Sequence, residues 1–143
     1  MRDYIIMTDS CCDLSQQEVE ELELTVLPLS FTIEGKTLLN TPDHADMSPE
    51  EFFAKIAAGA DCTTAVNVGQ FTDAMEKVLQ EGKDILCVCF SSALSTTYQS
   101  ACIAAEDLRE KYPEAKILVI DSLSASRGLG MLLYRAVRER REK

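Results

Sequence analysis

Three short apolar runs constrain the fold of this chain more than any other feature of its sequence. Residues 4–7, 84–90 and 116–120 are almost continuously apolar, which is typical of strands buried on both faces of a sheet. Segments with helical periodicity separate the runs. Strands that alternate with helices indicate an α/β fold, with a mainly parallel sheet flanked by helices.

The intervening segments carry recognisable helix signals. Ser15 precedes a short acidic segment, and a hydroxyl at that position caps a helix. Ser48 and Pro49 mark a second start, since proline suits the first helical position. Further helices are predicted over residues 71–79, over residues 98–108 and from about Gly128 onward.

Two segments are less regular. Residues 24–33 have the composition of a strand, but Pro28 favours an edge position or a break. A turn at residues 34–35 predicts that residues 36–39 return as a hairpin arm. Residues 61–69 are polar and rich in threonine, and we interpret them as a link between helices.

Charge and composition exclude several classes of function. The 143 residues include 24 acidic and 14 basic side chains, a net charge of −10, which argues against nucleic acid and anionic membranes as partners. No apolar run approaches the roughly 18 residues of a membrane span. Six cysteines without a CxxC pair, and a single histidine at His44, predict no metal site and no cofactor. We expect reduced thiols and a cytoplasmic protein.

The apolar runs all end in side chains of the same kind. In open α/β sheets, ligands bind outside the carboxyl ends of the strands, so these side chains predict a binding edge rich in hydroxyl groups. The candidate residues are Ser10, Ser91, Ser92 and Ser122, together with the carboxylates of Asp9 and Asp121.

A helix start and a threonine pair extend this predicted edge. Ser95 is placed to cap the helix that follows residues 84–90, and the free N–H groups of a helix start favour an anion. Thr63 and Thr64 lie on the link that we expect to reach the same edge.

Binding is favoured over catalysis, with two alternatives left open. A hydroxyl nucleophile needs a base, and the sequence has no Ser-His-Asp arrangement, GxSxG elbow, GxGxxG loop or Walker motif. One alternative is a phosphoryl or acyl transfer enzyme that uses Asp9 or Asp121 beside Ser10. The other is a protein-interaction domain whose exposed apolar face is covered by a partner or by a second copy of the chain.

Four segments, in order, resemble the motifs of the DegV family of bacterial fatty-acid-binding proteins. Thr63, Thr64 and Phe71 match the ends of a fifth motif, and together the matches span nearly the whole chain. The four segments are IIMTDSCCDLS, VLPLSFTIEGKTL, FSSALSTTYQSA and VIDSLSASRGLG.

The resemblance implies that hydroxyl groups hold the carboxylate of a long-chain fatty acid. By motif position, the contacts are Thr63 and Ser95, with Thr64 and Ser92 close by. The resemblance also implies that some members present the acid to a fatty acid kinase. This sequence departs from the motif at Thr96, where the family has glycine.

The resemblance also implies a domain organisation. The family has two domains, and residues 1–143 correspond to the N-terminal one. We therefore expect that the C-terminal domain is missing from this chain, and that the exposed domain face could support a homo-oligomer.

Overall fold

The computed structural model describes residues 2–142, apart from the side chain of Thr63. The strands are β1 (Tyr4–Asp9), β2 (Thr25–Leu27), β3 (Leu29–Ile33), β4 (Lys36–Asn40), β5 (Cys62–Ala65), β6 (Asp84–Cys89) and β7 (Ile117–Asp121). The helices are α1 (Gln16–Glu21), α2 (Pro49–Ala57), α3 (Val68–Gln80), α4 (Thr97–Lys111) and α5 (Ser126–Arg141). A 3-10 turn, Ser10–Cys12, follows β1.

A four-stranded parallel sheet forms the centre of the molecule, in the order β2-β1-β6-β7. Met7 lies opposite Cys87 in the neighbouring strand, and Cys87 lies opposite Val119 in the next. The three apolar runs therefore become adjacent parallel strands, as predicted from their composition. The predicted α/β class is confirmed.

Helices cover both faces of this sheet. Helices α3 and α4 contact β6, and α5 contacts β1 and β6. Side chains of successive strand residues point to opposite faces, so each strand contributes to two cores. The α3/α4 core includes Met7, Phe71, Met75, Cys87 and Leu108. The α5 core includes Ile6, Val88, Leu129 and Leu133.

A second sheet, which the sequence analysis did not predict, lies beside the first. Residues 24–33 form two strands, because Pro28 lacks the N–H group that would continue one ladder. Strand β2 joins the parallel sheet, whereas β3 joins an antiparallel sheet of order β4-β3-β5. The break at Pro28 thus carries the chain from one sheet to the other.

The outer strands of the second sheet differ in how well they were predicted. The hairpin of β3 and β4 is confirmed, and Glu34 and Gly35 both have positive φ, at 50° and 75°, as a tight hairpin turn requires. The interpretation of residues 61–69 as a link was wrong, because β5 pairs with β3. A four-residue edge strand is too short to show an alternating pattern.

Two helix starts follow their predicted caps. The Ser15 hydroxyl accepts the N–H of Glu18 at 3.3 Å, and the Glu18 carboxylate accepts the N–H of Ser15 at 2.8 Å. This reciprocal pair satisfies two donors at the start of α1. At α2, the Ser48 hydroxyl accepts the N–H of Glu51 at 3.2 Å.

Helix α5 begins at Ser126, before the predicted Gly128. Its cap position is occupied by Ala125, which makes no side-chain hydrogen bond, so the usual cap signal is absent from the sequence. None of the helices described is long and apolar enough to cross a membrane.

The edge strand β7 leaves apolar side chains uncovered on the face that carries α5. Leu118 is 58% exposed and Ile120 is 45% exposed. Contact with a partner or a second copy through an exposed apolar face stays a prediction.

Helix α5 approaches the turn after β1 closely at a glycine. A Cβ atom at Gly130 would lie 3.1 Å from Leu14 Cδ2 and 3.4 Å from the carbonyl oxygen of Cys12. At Gly128, the nearest atom would be Ser124 Cβ at 3.5 Å, an ordinary contact. Of these two positions in α5, only that of Gly130 requires a glycine for close packing.

We expect Gly128→Ala to raise the free energy of unfolding by up to about 1 kcal/mol, because alanine favours the helix. Gly130→Ala has the same gain in helix propensity but forces Leu14 to move. The Gly130→Ala variant should therefore be roughly 1–3 kcal/mol less stable than the Gly128→Ala variant. Urea denaturation measures both. Equal stabilities would contradict the close approach of α5 to this turn.

An ion pair joins α1 to α5. Arg127 Nη1 donates to Glu18 Oε1 at 2.6 Å, and the Tyr134 hydroxyl donates to the same oxygen at 3.2 Å. Arg127, followed by the hydrogen bonds from Ser15, lowers the pKa of Glu18 from 4.5 to about 2.

This lowered pKa predicts a pH effect on stability. The contribution of Glu18 is present above its unfolded-state pKa of 4.5 and is lost as the pH falls toward about 2. Glu18→Gln should therefore be less stable than wild type at neutral pH, with the difference shrinking across that range. Urea unfolding between pH 2 and 7 measures it, with Glu106→Gln as the exposed control. A difference that is independent of pH would exclude this role for Glu18.

Candidate functional site

A mainly apolar cleft of about 370 Å³ lies between the second sheet and helix α2. Strands β3, β4 and β5 contribute one wall, and α2 with the loop before it contributes the other. The apolar side chains that line it are Leu29, Phe31, Leu39, Met47, Pro49, Phe52 and Phe53, and the polar ones are Asp13, Asn40, His44 and Thr64.

Helix α2 is attached to the rest of the molecule by few contacts. It contains no buried side chain. The Phe52 ring meets the Phe31 ring edge-on, with 5.6 Å between centroids, and Lys55 Nζ lies 2.8 Å from Glu34 Oε2. The outer wall of the cleft is therefore held mainly by one aromatic contact and one exposed ion pair.

A second cavity, the hydroxyl pocket, lies where β6 leads into α4. It has a volume of about 550 Å³ and adjoins the apolar cleft, because Thr64 lines both. The residues that line the hydroxyl pocket are Thr64, Ser92, Leu94, Ser95, Thr96, Tyr98 and Gln99.

The structure brings together three of the predicted site residues. Thr64 on β5 lines the hydroxyl pocket together with Ser92 and Ser95, which both lie in the loop between β6 and α4. Thr63 belongs to β5, where its backbone lies opposite Thr32, but its side chain lies outside the described part of the structure. Contact of these residues with a ligand stays a prediction.

Ser10 is not among the residues that line the hydroxyl pocket. It is buried, and its hydroxyl accepts the N–H of Leu29 at 3.0 Å and the side-chain amide of Asn40 at 3.3 Å. These bonds tie the turn after β1 to the start of β3. The geometry therefore favours a structural role for Ser10 over the predicted ligand contact.

Ser91 and Ser122 also lie outside the hydroxyl pocket. The Ser91 hydroxyl accepts the N–H of Ala93 at 3.3 Å. The Ser122 hydroxyl donates to the carbonyl oxygen of Ser124 and accepts its N–H, both at 3.1 Å. Both serines stabilise their own loops, which is a common use of hydroxyl groups at strand ends.

The predicted cap of α4 needs a correction. Thr96, not Ser95, occupies the cap position, and its side chain makes no capping hydrogen bond. The Ser95 hydroxyl instead accepts the N–H of Thr97 at 3.2 Å. Tyr98 and Gln99 line the hydroxyl pocket, so the partly positive start of a long helix lies beside it.

Asp9 is inaccessible at the end of β1. It is fully buried, and its two oxygens accept the N–H groups of Phe90 at 2.8 Å and Cys11 at 3.1 Å. Burial raises the pKa of this carboxyl group, against the opposing effect of these hydrogen bonds. Asp9 therefore joins two strand ends and has no face open to a substrate.

Asp121, at the end of β7, also accepts backbone N–H groups from neighbouring loops. One of its oxygens accepts the N–H groups of Ser92 at 3.2 Å and Leu123 at 3.0 Å. The Ser92 hydroxyl, followed by the Leu123 N–H, lowers the pKa of Asp121. Such a carboxylate is a weak base, so this geometry does not favour the alternative of a transfer enzyme.

Residues 2–142 contain no group of three or more His, Cys, Asp or Glu side chains arranged to hold a metal ion. The polar side chains that line the hydroxyl pocket carry hydroxyl groups, apart from the amide of Gln99.

The apolar cleft was not predicted from the sequence. A signal was present, since Phe52 and Phe53 are adjacent on a short helix and Phe53 remains 66% exposed. Leu29 and Phe31 alternate on β3 and face α2. A large aromatic side chain that no core absorbs indicates a binding surface.

Comparison with protein families gives one match across nearly the whole chain. A family model described as an uncharacterised protein of the DegV family matches residues 4–142. A DegV domain-containing protein from Clostridium perfringens is 36% identical over 143 residues, covering 99% of this chain and 49% of the relative. One from Lactococcus lactis is 39% identical over 138 residues, covering 96% and 47%. The chain thus spans about half the length of these relatives.

Comparison with solved structures also gives matches across nearly the whole chain. A protein from Eubacterium ventriosum, described as stearic acid-binding, has a TM-score of 0.88 at 26% identity, covering 97% of this chain and 48% of that one. A DegV family protein from Thermus thermophilus, described by its fatty acid binding, has a TM-score of 0.84 at 31% identity, covering 99% and 48%. The resemblance of the sequence motifs is confirmed, and the chain belongs to the DegV family.

Proposed function

We propose that this chain binds a long-chain fatty acid, with the carboxylate in the hydroxyl pocket and the acyl chain in the apolar cleft. The observation that carries the proposal is the position of Thr64, which lines both cavities. A ligand that passes this residue meets hydrogen-bond donors on one side and apolar side chains on the other.

The hydroxyl pocket suits a carboxylate without a full counter-charge. None of the described residues that line it carries a charge. Hydroxyl groups and the start of α4 supply donors, and hydrogen bonds to an ionised acceptor are roughly twice as strong as neutral ones. The same donors hold an anion despite the net charge of −10.

The apolar cleft suits an acyl chain. Its 370 Å³ lies within the usual range of small-molecule sites, and each methylene group removed from water contributes about 0.8 kcal/mol. The Phe52 ring meets the rings of Phe31 and Phe53 edge-on, so the three rings form a continuous apolar wall.

The relatives support the same ligand class. The proteins from Eubacterium ventriosum and Thermus thermophilus are described as fatty-acid-binding, a binding activity rather than a catalytic one. We propose a fatty acid kinase as the partner, because Thr64 and Ser92 are exposed and leave a bound carboxylate accessible. We also propose a cytoplasmic location, where the six free cysteines would stay reduced.

Binding of stearate to the purified chain tests the proposal. Thr64→Val and Ser95→Ala each remove one donor, so each should weaken binding about 10-fold, measured by displacement of a fluorescent fatty acid. Thr72→Val is the matched control, because the Thr72 hydroxyl donates to the Val68 carbonyl within α3 and should leave affinity unchanged. A wild-type chain that binds no stearate, or full affinity in both pocket variants, would overturn the proposal.

Ser10→Ala separates a structural hydroxyl from the pocket hydroxyls. It leaves the buried N–H of Leu29 without its acceptor, so the free energy of unfolding should fall by about 1–3 kcal/mol. Affinity for stearate should match that of wild type at temperatures where the variant is folded. Urea denaturation and the same displacement assay measure the two effects. Loss of affinity without loss of stability would restore Ser10 as a ligand contact.

A further inference from the structure

We propose that the buried hydroxyl of Thr97 fixes Ser95 as a hydrogen-bond donor, and so makes the hydroxyl pocket selective for head groups that accept. This inference rests on the proposed fatty-acid function. It assigns Thr97 as a positioning residue, since its own side chain is fully buried and acts through Ser95.

The first step is the hydrogen bonding of Thr97 itself. Thr97 Oγ1 accepts the N–H of Val66 at 3.4 Å and lies 3.0 Å from Ser95 Oγ. Among the described residues, Ser95 Oγ is the one acceptor within reach of the Thr97 hydroxyl proton. A buried hydroxyl proton without an acceptor is costly, so Thr97 donates to Ser95.

The second step is the count of bonds at Ser95. Its oxygen also accepts the backbone N–H of Thr97 at 3.2 Å. A serine hydroxyl has one proton and two acceptor positions, and Thr97 fills both acceptor positions. The Ser95 proton is the remaining hydrogen-bonding capacity, and Ser95 lines the hydroxyl pocket.

The third step is the effect on ligand choice. A carboxylate offers acceptors only and is satisfied by this proton. An alkylammonium group offers donors only, so it would face the proton of Ser95 with no acceptor there. Ser95 is half-buried, and a group that can only donate disfavours a ligand that offers only donors, so the Thr97 hydroxyl favours the acid.

Thr97 also holds the two sides of the pocket together. Val66 directly follows β5, the strand that carries Thr64, whereas Thr97 begins α4. The Val66–Thr97–Ser95 connection therefore sets Ser95 relative to the strand of Thr64. The methyl group of threonine is not needed for this, which makes serine a conservative replacement.

The test compares stearate with octadecylamine, which has the same chain length. Thr97→Val removes the hydroxyl at nearly constant volume, so Ser95 regains an acceptor position. The ratio of the two affinities should then fall about 10-fold relative to wild type. Thr97→Ser keeps the hydroxyl and should hold the ratio within about 2-fold. Equal weakening of both ligands by Thr97→Val, or an unchanged ratio, would overturn the proposal. Urea unfolding confirms that both variants are folded.

A second measurement does not depend on ligand binding. In Ser95→Cys, a donor at Thr97 stabilises the thiolate introduced at position 95. Adding Thr97→Val should move the pH profile of its alkylation upward by about one pH unit, and adding Thr97→Ser should not. Peptide mass analysis distinguishes this thiol from the six natural ones. Identical pH profiles would exclude the hydrogen bond. If wild type binds no stearate, the proposed function fails while this measurement still decides whether the Thr97 hydroxyl can donate to the side chain at position 95.

Discussion

The buried carboxylate of Asp9 joins the ends of the two central strands, and the arrangement of the site depends on this contact. Its oxygens accept N–H groups from Phe90, just after β6, and from Cys11, in the turn after β1. Without a carboxylate there, two half-buried N–H groups would lose their acceptors. The chain leaves β6 in a defined direction and enters the loop that carries Ser92 and Ser95.

The loops beyond this contact are linked in the same manner. Asp121 accepts the N–H of Ser92 and therefore connects the loop after β7 to the loop after β6. Hydroxyl groups at the edge then divide into two kinds. Ser10, Ser91 and Ser122 bond to nearby groups outside the hydroxyl pocket, whereas Ser92, Ser95 and Thr64 line it.

The parallel sheet could be predicted because its central strands β1 and β6 are buried on both faces, and a continuous apolar run such as residues 84–90 is the direct result of that burial. The hairpin of β3 and β4 could also be predicted, but the pairing of β5 with it could not, because β5 is a four-residue edge strand in which polar residues make up half. Its partner β3 is separated from β2 by Pro28 alone, and both strands have the same mainly apolar composition, so the sequence does not show that they belong to different sheets. Strand pairing between distant segments leaves no mark on such short sequences.

The candidate site was predictable only in part. Residue type and position at a strand end do not distinguish Ser10, which holds β3, from Ser92, which lines the pocket. Likewise Ser95, Thr96 and Thr97 are three consecutive hydroxyl residues. The sequence does not show which of them is buried, as Thr97 is, and which lines the pocket, as Ser95 does. The motif resemblance selected Thr63 and Ser95, with Thr64 and Ser92 close by, among many equivalent hydroxyl groups, and Thr64, Ser92 and Ser95 line the hydroxyl pocket.

Helix α2 stands apart from the rest of the structure, because no side chain of it is buried and Phe52 makes its main apolar contact. Substitutions on its inner face change the shape of the cleft without disturbing either core of the parallel sheet. Mutations there lower the free energy of unfolding less than core mutations do, so they seldom take the protein below the stability that it needs to function. The width and depth of the cleft are therefore free to diverge between homologues while the sheet and its hydroxyl edge stay the same.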